Sequence, residues 1–422
     1  MSSSAHSGQV SDDVIKEAAS TLHGQLQRGL GRAARRAAER RGAAELVYDC
    51  VRRDPRWDRQ CERRSLYYAR LMVDLEMPVG PLAEHLFDAA DVSDEDGSRA
   101  RLALEVLADL VRLSRREAAW VLRGYAEEGT HWFDAVEALA ELRDPSLTVG
   151  LDELVLARCD DGALGWLVVD QANPVLAGWV ARHPRMAAAL ARNRDRVGRR
   201  PERRAACGDR SDAELLELAR ACADESVAAI FELGRRRAPG LLDLAEELLP
   251  SRPSRWRGAM ARVVREYGPE TLPRARSWAV SRECRDVGLD IVARHGTRQD
   301  IPLLMEVLRG ALDMGDWSGA VNPIEGLGRL RAGEAVPLLK AAWTESLYSY
   351  LRPRVLTALT RTAPHTAEAF TVEGLWDCEE GVREVAVRAV PRTEDTEVRL
   401  LRLQSDGAED AEVRAAAAAR LL

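Results

Sequence analysis

Apolar residues recur at steps of three and four along most of the chain, as in ARLALEVLADLVRL and SVAAIFELGRRRAPGLLDLAEELL. That spacing gathers them on one side of an α-helix. Alternating apolar and polar runs rich in β-branched residues are nearly absent. The helical stretches run about 10–15 residues, an ordinary length, and stop at Gly, Pro or short polar turns. SRARLALEVLADLVRLSRREAAWVLRGY reads as two helices joined by a turn. The pattern predicts an all-α fold.

The helices also repeat. LRPRVLTAL (351–359) overlies VREVAVRAV (382–390) at an offset of 31, and the same step lands on Val413-Arg414. Each unit opens with an aliphatic residue and an arginine, followed by small or apolar residues at helical spacing. An aliphatic–proline pair recurs at Leu272-Pro273, Ile301-Pro302 and Val336-Pro337. Proline suits the first helical turn, where its missing N–H has no partner to lose.

AVNPIEGLGRLRAGEAVPLLKAAW (320–343) resembles a short HEAT repeat of the kind also found in phycobilisome-lyase-like proteins. The matching positions are Gly326-Leu327-Gly328, Leu330 and Ala335-Val336-Pro337-Leu338. The resemblance implies a curved α-solenoid of stacked antiparallel helix pairs, with the later helix of each pair lining a concave face. GTHWFDAVEALAEL (129–142) resembles GDWSGAVNPIEGLGRL (315–330), which extends a degenerate form of the array into the N-terminal half. The expected organisation is a disordered N-terminus at 1–10 and degenerate HEAT-like repeats at 11–190. An Arg-rich linker or long inter-repeat loop at 191–212 follows, then a C-terminal HEAT array at 213–422.

The 422 residues hold 61 basic and 68 acidic side chains, a net charge of −7, and only two of the basic ones are lysines, Lys16 and Lys340. Abundant Ala, Gly and Arg together point to a GC-rich genome as the source of that bias. An acidic total argues against a general nucleic-acid binder. The charge is patterned nonetheless: residues 28–64 carry 12 basic and six acidic side chains, 182–210 carry ten and three, and 74–96 carry eight acidic and no basic ones. The first residues, MSSSAHSGQVSDDV, contain no apolar run, and the most apolar stretch, 163–180, is broken by Asp170, Asn173 and Pro174. A cytoplasmic protein without membrane attachment is expected. Seven widely spaced cysteines with no CxxC fit reduced thiols and give no zinc spacing.

Catalytic signatures are missing. The sequence has no GxxxxGK[ST], no strand-linked GxGxxG and no GxSxG. Deoxyhypusine hydroxylase, a HEAT-like enzyme, holds two irons with His-Glu pairs, and none of the seven histidines here precedes a glutamate. The HEAT-like alkylpurine DNA glycosylases use tryptophans and a carboxylate around a damaged nucleotide. The nearest material is Asp54-Pro55-Arg56-Trp57-Asp58-Arg59-Gln60, Tyr67-Tyr68-Ala69-Arg70 and His131-Trp132-Phe133-Asp134. A carboxylate beside an indole can stabilise a cationic sugar. The same residues fit a packing role, with Asp54-Pro55 as a helix N-cap and the tryptophans buried between helices.

The expected function is therefore a non-enzymatic HEAT-repeat scaffold that binds a protein or peptide partner on its concave face and uses no metal or cofactor. Its expected binding residues are Arg56, Trp57, Arg59, Tyr67, Tyr68, Arg70, His131 and Trp132, a set rich in the Arg and aromatic types that dominate binding hot spots. The alternative is a nucleic-acid-binding protein of the alkylpurine DNA glycosylase type.

Overall fold

A computed structural model describes residues 16–198, 207–223, 225–250 and 255–422. Among these the chain is entirely helical, with 26 α-helices joined by tight turns and short 3-10 segments, and no strand. The two expected helices around residue 113 are Ser98–Arg112 and Glu117–Glu128. The first buries Leu102, Ala103, Val106, Leu107 and Leu110, the apolar face that its spacing marks out. No helix among the described residues is long and apolar enough to cross a membrane.

The chain divides into two compact units. One contains the described residues of 201–346 with 354–367; the other contains 16–198, 347–353 and 368–422. These units do not follow the consecutive halves expected from the repeats, because the last 55 residues, 368–422, belong with the N-terminal helices. The expected linker is also corrected. Residues 191–198 complete the helix Pro184–Gly198, which buries Met186, Ala189, Leu190 and Asn193. Asn193 donates to the Gly165 carbonyl at 2.9 Å, so this polar-looking segment has a packed side. Residues 1–15 and 199–206, which include the expected disordered N-terminus and the rest of the Arg-rich run, lie outside the described residues. Residues 207–211 lead into the helix Asp212–Arg220, closed at its start by a capping box between Ser211 and Glu214.

In the unit built on 201–346, helices pack on their neighbours in chain order. Leu272–Val280 lies on Arg285–His295, which lies on Val321–Arg329. The three aliphatic–proline pairs start helices, at Leu272–Val280, Ile301–Met314 and Val336–Glu345, each proline in the first turn. The Gly-Leu-Gly motif also has a steric reason. A Cβ on Gly326 would stand 2.9 Å from Ala293 Cα, and one on Gly328 would stand 2.6 Å from Ala358 Cβ. The two glycines let one helix approach the backbones on either side, while Leu327 between them is fully buried.

In the unit built on the N- and C-terminal segments, a comparable close approach joins residues distant in sequence. Gly29 has φ +67°, and a Cβ there would collide with the Cys378 sulfur. Its carbonyl accepts the Cys378 N–H at 3.0 Å.

Gly328→Ala should destabilise the protein by about 1–3 kcal/mol, the usual effect of overpacking. Gly333→Ala, where an added Cβ meets nothing within 4 Å, should leave the urea midpoint almost unchanged.

Candidate binding cleft

Residues 53–64 link the helices Ala43–Arg52 and Ser65–Asp74, and no helix begins at Asp54-Pro55. Asp54 instead turns the loop on itself. It accepts the Arg56 N–H at 3.1 Å and the Arg56 guanidinium at 2.9 Å (Nε) and 2.8 Å (Nη2). The other arm of Arg56 donates to Glu105 at 2.7 Å. Burial works against the charge on Arg56, but Asp54 and then Glu105 outweigh it and hold its pKa above the ordinary value. Arg59 is an outer partner of Asp54 at 3.4 Å. Trp57 is half-buried and packs on Tyr348 with ring centroids 4.8 Å apart.

The remaining expected binding residues serve mostly as structure. Tyr67 and Tyr68 are buried edge-to-face, and their hydroxyls donate to the carbonyls of Leu30 and Leu26, both at 3.0 Å. With no exposed surface, Tyr68 offers nothing to a partner. Arg70 bridges Asp406 at 2.6 Å and Glu409 at 3.0 Å. His131 is bound through Nε2 to the Asp94 carbonyl at 2.6 Å. Trp132 packs edge-on against Phe133 and under the Arg158 guanidinium.

The repeated arginine is a feature that sequence reading left without a role. Arg352 and Arg383, equivalent in the 31-residue offset, are buried and each grips an acid about one repeat further on. Arg352 holds Asp377 at 2.9 and 2.8 Å, and Arg383 holds Glu409 at 2.8 and 2.7 Å. Burial pushes Glu409 up, but Arg383 and Arg70 prevail and leave its pKa at about 2. A third buried arginine, Arg64, donates to Glu62 and to the carbonyls of Gln27 and Leu347.

Glu62 also accepts the Ser349 N–H at 2.8 Å and lies within hydrogen-bond distance of its hydroxyl, which is equally close to Glu379. One hydroxyl proton cannot serve two carboxylates. Burial raises Glu379 to a pKa of about 7, against the pull of Ser349 and Arg352. The Ser349 hydroxyl therefore serves Glu62 or Glu379, one at a time.

Above this network opens a cleft of about 660 Å³. Its walls are the helices Ser98–Arg112 and Trp132–Glu141, the end of the 53–64 loop, and residues around 380 and 409. Nine carboxylates line it against six guanidiniums. Arg56, Arg59, Arg112 and Arg383 are already ion-paired, which leaves Arg63 and Arg101. Glu105 and Asp109 stand four residues apart on one helix, and Glu137 and Glu141 stand four apart on another. Like charges at that spacing repel. Desolvation in the cleft, then Asp134 and Glu141, raise the Glu137 pKa. Among the described residues no group of three or more His, Cys, Asp or Glu is placed to hold a metal ion.

Of the expected binding residues the cleft contains Arg56 and Arg59, and it does not include Trp57, Tyr67, Tyr68, Arg70, His131 or Trp132. The acids were missed although a signal existed, in the like-charge pairs at four-residue spacing on two neighbouring helices. No family model matches the chain, and no curated protein or solved structure matches it either.

Two predictions test this arrangement. Arg352→Met should lower stability by about 3–5 kcal/mol, because it strands the buried Asp377 charge. The double variant Arg352→Met/Asp377→Leu should recover most of that loss in urea unfolding. For Glu379, the folded pKa of about 7 lies above the model-compound 4.5, so its contribution to stability falls as pH rises between those values. Glu379→Gln removes the titrating group while keeping an amide oxygen to accept from Ser349. It should be more stable than the parent at pH 8 and lack that part of the pH dependence in thermal melts.

Proposed function

We propose that this chain is a non-catalytic scaffold of HEAT-like stacked helix pairs, an α-solenoid, that binds a basic segment of a protein partner in its acidic cleft. The observation that carries the reading is the excess of nine carboxylates over six guanidiniums in the cleft. Glu105, Asp109 and Glu409 are paired with Arg56, Arg112 and Arg383, and Asp134, Glu137, Glu380 and Asp410 have no ion pair among the described residues. Each lysine or arginine of an incoming segment would relieve repulsion among Glu105, Asp109, Asp134, Glu137 and Glu141. Complementary charge of this kind favours encounter and excludes wrong partners. The repeat character is supported by the chain-order packing of helices, the proline at successive helix starts and the Gly-Leu-Gly approach. All seven cysteines are free thiols, which suits action in the reducing cytoplasm.

The nucleic-acid alternative draws no support from the cleft, since a phosphate backbone would meet net negative charge. Asp54, the carboxylate beside Trp57, is buried and held by Arg56 and Arg59, which leaves it unable to face a sugar cation.

Fluorescence anisotropy with a labelled Lys/Arg-rich peptide, a Glu-rich peptide and duplex DNA tests the reading. The basic peptide should bind with an affinity that falls as salt rises, and Glu137→Gln/Glu141→Gln should weaken it about tenfold, the worth of one charge-assisted contact. Tighter binding of DNA than of the basic peptide, or indifference to the double variant, rejects it.

A further inference from the structure

A second cavity, of about 270 Å³, is lined by residues of the helix Ser65–Asp74, the turn at Trp376 and the helix Glu394–Ser405. A single water claims about 30 Å³ in the liquid, so the space suits a small molecule. Three arginines and three aspartates line it, and their pairing is uneven. Arg70 is occupied by Asp406 and Glu409, and Asp377 by Arg352. Arg399 has only a backbone acceptor: its Nε and Nη2 both donate to the Leu375 carbonyl at 3.1 Å, and Nη1 has no partner. Arg402, one turn along the same helix and exposed, makes neither an ion pair nor a side-chain hydrogen bond among the described residues.

A third guanidinium stands at the rim. Arg35 and Arg399 each lie 5.1 Å from the Trp376 ring centroid, and Arg35 has no carboxylate partner among the described residues. The one unpaired carboxylate of the cavity is the exposed Asp74. Burial, then Arg70 and Arg383, depress the Arg399 pKa to about 9, while Glu409 and Asp74 pull the other way. A guanidinium so placed is short of negative charge, and an incoming anion would supply it.

We propose that this cavity is an oxyanion site, in which Arg399 and Arg402 receive the carboxylate or phosphate group of a small molecule. Planar guanidiniums one helical turn apart can share one such group, whose oxygens accept several N–H donors. The site is independent of the acidic cleft and of the reading given to it.

Calorimetric titration of the full chain with inorganic phosphate, and separately with succinate, tests the proposal against sodium chloride at equal ionic strength. Saturable one-site binding is expected, weakened about tenfold by Arg402→Gln, the equivalent of one charge-assisted hydrogen bond. Arg399→Gln should weaken it at least as much. Any pH dependence should run toward weaker binding at alkaline pH, the direction in which burial and the neighbouring Arg70 and Arg383 lower the Arg399 pKa. Tyr67, whose phenol burial holds well above its ordinary pKa, stays neutral in that range. A preference for phosphate would mark a phosphoryl ligand and a preference for succinate a carboxylate, and either supports the site. Arg402 is exposed, so its variant should fold normally, and Glu137→Gln in the cleft should bind the anion as the parent does. Absence of saturable binding to both anions, or binding that neither arginine variant changes, overturns the proposal.

Discussion

Buried arginines gripping buried carboxylates are the constraint on which the N- and C-terminal unit depends. Arg64, Arg352 and Arg383 lie out of water, and taking a guanidinium there is unfavourable unless acceptors meet it with good geometry. Arg64 finds Glu62 and two carbonyls, Arg352 finds Asp377 and Arg383 finds Glu409, though Arg64 Nε and Arg352 Nη1 have no hydrogen-bond partner among the described residues. Arg352 and Arg383 find their acids about one repeat further on, and Arg64 finds Glu62 two residues back. Arg64 on the Leu347 carbonyl, Glu62 on Ser349 and Arg70 on Asp406 and Glu409 join residues 16–198 to the C-terminal segments. A hydrophobic contact between the same segments would tolerate sliding. Arg70, held by both Asp406 and Glu409, does not, and the Gly29–Cys378 approach demands the same register.

The cleft follows from that assembly. Its floor contains Glu62, Cys378, Arg383 and Glu409, residues of the network itself, and its walls come from helices whose other faces fill the core. Arg64 and Arg383 neutralise Glu62 and Glu409 of the lining, and the carboxylates of the two wall helices outnumber the arginines that remain. An arginine-rich segment of sequence thus contributes to an acidic surface. Glu379, its pKa raised by burial, shares the Ser349 hydroxyl with Glu62 of the cleft lining.

The local features legible in the sequence were those set by nearest neighbours. Helical periodicity located Ser98–Arg112 and Glu117–Glu128, and the aliphatic–proline pairs marked three helix starts. Local reading failed where a residue's partner is remote. Asp54-Pro55 has the composition of a helix cap, yet Arg56 and Glu105 recruit that aspartate into a loop. The run 191–198 looks too polar to pack, but it continues a helix that buries Met186, Ala189 and Leu190 just before it and Asn193 within it. Tyr67, Tyr68 and Arg70 have the chemistry of a binding patch and are consumed by the carbonyls of Leu30 and Leu26 and by Asp406 and Glu409.

What the sequence determined by itself is the helical character of the chain, the spacing of its repeating units and the small residues where helices must approach. Those depend on backbone sterics and on a 3.6-residue period, which act over a few positions. Only the tertiary structure decided which of the arginines are buried and which remain to meet solvent, and hence the sign of the cleft. Charge in a protein is set by what stands within a few ångströms, and for Arg64, Arg352, Arg383 and Arg399 that company is chosen by the fold.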